Sequence, residues 1–178
     1  MIKRPTSDQE IGLIYKPYLD LTPDGDYLKV LDQNTVEIVD FFRSIPLSKH
    51  DFAYAEGKWT IKEVLQHLSD VEYIMAFRAY VAARTEGETH LPGMDEELFM
   101  SNSGAGSKTF ENLLSEFLDT RKVTRTIFEN LTEKSSQKTV LIYDKPVSAR
   151  TFAYMIPGHA LHHIQVVMER YLGLYSNS

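Results

Sequence analysis

The sequence predicts an all-α fold, an antiparallel four-helix bundle. Four long segments carry apolar residues at helical spacing, which indicates amphipathic helices. Little of the chain shows the alternation typical of β-strands. Its 178 residues, 43% of them hydrophobic, are enough for one packed domain and too few for two. We therefore expect a single domain over residues 1–178.

Residues 1–24 are predicted to form an extended lead-in, because Pro5, Pro17 and Pro23 would interrupt a helix. A first amphipathic helix is predicted from about Asp26 to Ser44, ending before Pro46. Its apolar stripe consists of Leu28, Leu31, Ile38, Val39, Phe42 and Ile45.

The second predicted helix has the clearest start in the chain. Thr60 and Glu63 have the spacing of a capping box, in which each side chain bonds the backbone of the other. The helix is expected to continue to about Arg84. Residues 85–106 follow as a long loop, and we expect its part from about Leu91 to Gly106 to cover a functional site and to help select its substrate.

A third helix is predicted from about Lys108 to Asn130 and a fourth from the N-cap Ser148 to about Leu172. Between them, TVLIYDKP suits a short strand or a hairpin. One such segment does not make a sheet, so the predicted class stays all-α.

Three histidines occur close together in GHALHHIQVV, residues 158–167. His159 and His163 are one turn apart on the apolar face of the fourth helix, whereas His162 lies to the side. His67 borders the apolar face of the second helix. Two imidazoles on one helix and a third from another can hold a divalent ion with positions left for water or substrate.

The histidines also have a plainer interpretation, as hydrogen-bonded residues of the core. His50 and His90 fall in predicted loops and are expected at the surface. Pro157 either bends the fourth helix beside the metal or marks its true beginning. The carboxylates of Asp70, Asp95 and Glu96 are expected to be solvated, so the sequence identifies no catalytic residue.

Three segments in order carry a family resemblance: KWTIKEVLQHLSDVEYIMAFRAYVAAR, LPGMDEE and FAYMIPGHALHHIQVVMERYL. Over about Leu28 to Leu172 the chain resembles the DinB/YfiT superfamily of candidate metalloenzymes. The resemblance implies an up-down-down-up bundle, often a homodimer. It also implies that His67, His159 and His163 are the metal ligands.

Composition narrows the functional classes. The net charge is −6 and no run of Lys or Arg occurs, which argues against a nucleic-acid partner and an anionic membrane. No signal peptide or spanning segment is recognisable, so a cytoplasmic protein is expected. The absence of cysteine excludes a protein thiol as nucleophile or ligand.

These observations predict a divalent-metal enzyme, with Zn, Ni or Mn as its cofactor and a small molecule as its substrate. The leading prediction is a low-molecular-weight-thiol S-transferase similar to the bacillithiol transferases, in which the cosubstrate brings the sulfur. One alternative is a metal-dependent hydrolase. Another is a non-enzymatic metal-binding or stress-related dimeric bundle.

Overall fold

The computed structural model describes residues 2–174, so Met1 and residues 175–178 of the predicted domain lie outside the described residues. The chain forms eight α-helices and three short strands within this range. The helices are α1 (Asp8–Ile11), α2 (Lys16–Leu21), α3 (Tyr27–Ser44), α4 (Ile61–Arg84), α5 (Glu96–Asn102), α6 (Phe110–Glu129), α7 (Glu133–Ser136) and α8 (Ala149–Val166). The strands are β1 (His90–Leu91), β2 (Thr139–Ile142) and β3 (Lys145–Ser148).

The four long helices α3, α4, α6 and α8 form the bundle, as predicted. Helix α4 packs against α6 and α8, and α3 packs against the same two helices. The consecutive helices α3 and α4 therefore lie across a diagonal of the bundle. None of the helices within residues 2–174 has the length and apolar character needed to cross a membrane.

Each long helix begins at a side chain that accepts a hydrogen bond from the backbone of the first turn. The predicted capping box is present, since Thr60 and Glu63 bond each other's backbone N–H groups. Ser148 accepts from the N–H of Thr151, which confirms the predicted start of the fourth helix. Asp26 and Thr109 cap α3 and α6 in the same way.

Helix α8 continues through Pro157 from its start at Ala149, so the alternative start at Pro157 is wrong. A turn of π-helix, Val167–Tyr171, follows it and accounts for the predicted end near Leu172. The predicted extended lead-in is also wrong, because residues 8–21 form α1, α2 and a 3₁₀ turn between them. Pro17 lies in the first turn of α2, where no backbone hydrogen bond is lost.

The predicted loop of residues 85–106 contains β1 and α5, which were not predicted. Strand β1 pairs in parallel with β2, and β2 pairs with β3 in an antiparallel hairpin, so a three-stranded sheet forms. Tyr143 and Asp144 have φ of 49° and 58°, as a tight two-residue hairpin turn requires. The sheet is minor, and the all-α class is confirmed.

The core of the bundle has two clusters of buried apolar residues. Phe152, Ile156 and Val71 belong to one, and Phe117, Ala160 and Leu68 belong to the other. Positions 67 on α4 and 159 on α8 fall where the two clusters meet. Packing on both sides therefore holds these two positions in place.

Candidate metal centre

Three imidazoles converge between α4 and α8. The Nε2 atom of His159 lies 3.2 Å from that of His67 and 3.1 Å from that of His163. One ligand atom from each residue lies within 4.8 Å of the others. Tetrahedral zinc with Zn–N bonds of about 2.0–2.1 Å places its ligand nitrogens about 3.4 Å apart. These three residues, the histidine triad, thus have the spacing of ligands around one ion.

All three imidazoles are held in the neutral form. Burial lowers the pKa of His67 from 6.5 to about 4, and the charge of His162 would add to this effect. Burial and the neighbouring imidazoles lower the pKa of His159 and His163 well below 6.5. Because only neutral imidazole coordinates a metal, the triad is ready to bind at neutral pH without releasing protons from these rings.

The plainer interpretation, hydrogen-bonded core histidines, accounts for only one ring nitrogen of His67 and one of His163. The Nδ1 atoms of His67 and His163 are buried and have no hydrogen-bond partner within residues 2–174. Burying polar atoms without partners is unfavourable, and most native side chains avoid it. Among residues 2–174, the polar contacts of these two rings are made by their Nε2 atoms, each of which faces the Nε2 atom of His159.

Aromatic rings surround the triad. The Trp59 ring centroid lies 4.7 Å from that of His67, and Tyr18 lies edge-on to His159 at 5.3 Å. His162 is only half-buried and packs between Tyr18 and His163 at 5.5 and 5.1 Å. It is not one of the three converging residues, in agreement with its predicted place beside the site.

Two clefts reach the triad from different sides. One, of about 190 Å³, ends at His163 and has Trp59 and Glu97 in its walls. The other, of about 210 Å³, ends at His159 and is lined mainly by apolar and aromatic side chains. We call these the His163 cleft and the His159 cleft.

Helix α5 supplies a carboxylate to each cleft, Glu96 to the His159 cleft and Glu97 to the His163 cleft. Desolvation in the cleft and the neighbouring Glu97 raise the pKa of Glu96. Glu96 is exposed at the edge of its cleft, as the sequence analysis expected for a solvated carboxylate, and the only sequence signal of its place in the cleft was the acidic run at 95–97. Asp95 instead caps α5, and Asp70 accepts a hydrogen bond from Gln66.

The two remaining histidines lie away from the triad. His90 is exposed beside Glu88, which confirms its predicted surface position. His50 is half-buried, stacks on Phe110 at 3.7 Å and bonds the carbonyl of Ile45, so its predicted surface position is wrong. Its loop packs on the bundle, which the sequence pattern did not reveal.

A larger cavity of about 950 Å³ lies between α1 and the β2–β3 hairpin. Tyr143, Val147 and the ion-paired Glu10 and Arg150 are among its lining residues, and no histidine is. Its volume alone does not make it the functional site, because none of the converging ligands faces it. The histidine triad remains the candidate centre.

Comparisons with known proteins agree with the fold. The family model of the DinB superfamily matches residues 31–167. A solved structure of YfiT from Bacillus subtilis, described as a probable metal-dependent hydrolase with an unusual four-helix bundle topology, matches with a TM-score of 0.72 at 13% sequence identity, covering 97% of this chain and 94% of that chain. No curated protein matches the chain. The chain belongs to the DinB superfamily.

Proposed function

We propose that this protein is a divalent-metal-dependent hydrolase of small molecules, with His67, His159 and His163 as the metal ligands. The observation that carries the proposal is the convergence of three neutral imidazole nitrogens at the end of a cleft that also contains a carboxylate. The description of YfiT as a probable metal-dependent hydrolase supports the same chemistry.

When bound, a divalent ion supplies Lewis-acid polarisation and a lowered pKa for water. An all-imidazole ligand set suits Zn or Ni better than Mn, which prefers oxygen ligands, so we propose Zn or Ni. The three ligands leave room in the coordination sphere for a substrate.

The protein's own residues supply a candidate base and apolar walls around it. Glu96 lines the same cleft as His159, and its raised pKa brings it closer to neutrality, where a general base is most effective. We assign it the removal of a proton from the attacking water. Met75, Met94 and Met155 form apolar walls of the same cleft, against which an apolar part of a substrate can pack.

Transfer of a low-molecular-weight thiol is the second candidate. The observation that favours it is the pair of clefts, which provides separate entrances for a thiol and for its acceptor. The chain has no cysteine, so the sulfur would come from the cosubstrate. A non-enzymatic metal-binding homodimer is the alternative if metal binds without any turnover.

The experiment uses chelated protein reloaded with Zn, Ni or Mn and assayed against esters, lactones and amides, with and without added thiol. We expect turnover that requires metal but no thiol. Glu96→Gln should lower kcat by about 100-fold or more, the usual contribution of a general base, without a matching loss of metal affinity. Glu88→Gln is the control, since Glu88 is exposed outside both clefts.

Two outcomes would contradict the hydrolase proposal. Turnover only in the presence of a thiol would identify the S-transferase instead. Stoichiometric metal binding with no turnover under either condition would leave the non-enzymatic alternative.

A further inference from the structure

Arg78 of α4 is a buried cation without an anionic partner. Its relative exposure is 3%. Within residues 2–174, no carboxylate lies within 4.0 Å of its guanidinium nitrogens. Arginine keeps its charge in proteins, although burial lowers the pKa of this guanidinium. An uncompensated buried charge is unfavourable, which points to an anion that comes from outside the chain.

The contacts of Arg78 are all with neutral groups. Its NH1 group donates to the Tyr15 hydroxyl at 3.3 Å and to the Met75 sulfur at 3.6 Å, and its NH2 group donates to the carbonyl of Pro92 at 2.7 Å. These contacts fix the guanidinium in place. They leave other N–H groups, including Nε–H, without a hydrogen bond to residues 2–174, and two such groups suffice to bind a carboxylate.

Arg78 and Glu96 both line the His159 cleft, and they form no ion pair with each other. Burial raises the pKa of the Tyr15 hydroxyl, and the charge of Arg78 opposes this rise. Arg78 contacts the Tyr15 hydroxyl, whereas Tyr18, at another part of the same cleft, packs against His159.

We propose that Arg78 is the anion-binding residue of the His159 cleft and that the substrate is a small molecule with a carboxylate separated from its reactive group by an apolar chain. The apolar walls between the two ends accommodate that chain. Arg78 and His67 are eleven positions apart on α4, or about 16.5 Å along its axis, so the carboxylate and the reactive group of the substrate would be well separated. The reactive group of this substrate is inferred from the proposed function. The carboxylate is inferred from Arg78 alone and does not depend on that function.

The test measures binding to metal-free protein, so that it does not depend on turnover. Isothermal titration of chelated protein with sodium hexanoate is compared with 1-hexanol and methyl hexanoate, which have the same chain without the charge. We expect hexanoate to bind at least about tenfold more tightly, as one charge-assisted hydrogen-bonded pair allows. Arg78→Met should abolish this preference, and Arg84→Met should preserve it, since Arg84 is exposed on the same helix.

A second measurement covers the case in which Arg78→Met does not fold. In the wild-type protein, the Arg78 Nε–Hε signal in the NMR spectrum should shift on addition of hexanoate and not of 1-hexanol. Equal binding of hexanoate and 1-hexanol, an unchanged preference in folded Arg78→Met, or a silent Nε–Hε signal would each overturn the proposal.

The outcome is separable from that of the proposed function. Arg78→Met should retain the metal affinity of the wild type, because Arg78 is not among the converging ligands. If the protein binds no metal but binds hexanoate in preference to 1-hexanol, the hydrolase proposal is refuted and the proposed anion site stands. If the metal-loaded protein hydrolyses esters but shows no preference for the carboxylate, the hydrolase proposal stands and the proposed anion site is refuted.

Discussion

The backbones of α2 and α8 are in close contact at Gly158, and Gly158→Ala tests that packing. A Cβ at this position would overlap the carbonyl oxygen of Tyr18 and lie 2.7 Å from the Thr22 hydroxyl. The Tyr18 oxygen belongs to the backbone, so a rotamer change cannot remove the clash. Either α2 or α8 must move.

The opposing effects can be compared in size. Alanine is favoured over glycine inside a helix by about 1 kcal/mol. Overpacking a dense contact costs about 1–3 kcal/mol. Displacing Thr22 would also break its 2.6 Å hydrogen bond to the carbonyl of Tyr154, worth about 1 kcal/mol. We expect Gly158→Ala to lower the free energy of unfolding by about 1–3 kcal/mol.

Urea unfolding of chelated protein, with an unchanged m-value, measures this loss, and thermal unfolding should show a drop of roughly 2–4 °C per kcal/mol. Gly106→Ala is the matched control, because no atom lies within 4 Å of its added Cβ. That control should change stability by less than about 0.5 kcal/mol. A Gly158→Ala protein at least as stable as the wild type would show that α2 does not pack on α8 as described.

Three further predictions concern the histidine triad and the buried core. Replacing any one triad histidine with alanine should weaken metal binding by about 100-fold or more in a competitive metal titration, whereas His162→Ala should keep most of the affinity. Burial lowers the pKa of His67 from 6.5 to about 4, so the native state binds fewer protons than the unfolded chain in that window. Chelated protein should therefore lose about 3 kcal/mol from this residue as the pH falls from 6.5 towards 4, and a flat urea midpoint over that range would contradict this. Arg121 Nε lies 2.8 Å from Glu72 Oε2 with both side chains buried, so Arg121→Met should cost about 3–5 kcal/mol in urea unfolding. Adding Glu72→Leu should recover much of this loss, and additive losses in the double variant would argue against the pair.

The bundle could be predicted from sequence because its four helices are long and carry their own start signals. The capping box at Thr60 and the N-cap Ser148 are local features, independent of tertiary contacts. The short elements α1, α2, β1 and α5 carry no such periodicity. Segments of two to seven residues are not stable alone, and they form here because they pack on the bundle and the hairpin.

The same distinction applies to the candidate site. The i,i+4 spacing of His159 and His163 is a local pattern that places both imidazoles on one helix face. His67 could be predicted as the third ligand because it borders the apolar face of its own helix. Glu96 and Arg78 could not be identified in this way. Their positions depend on how residues 91–97 fold back over α4, and on a cleft that exists only after packing.

The two parts of the candidate site differ in the stability of the elements that hold them. The triad comes from α4 and α8, which pack against each other where two core clusters meet. Glu96 comes from α5, which has seven residues and leaves Leu98 and Phe99 58% and 40% exposed. Few buried contacts imply a lower free energy of local opening for α5 than for the bundle. On the proposed function, the triad would therefore keep its geometry when α5, which carries Glu96, opens locally, because α5 is not part of the core that positions α4 and α8.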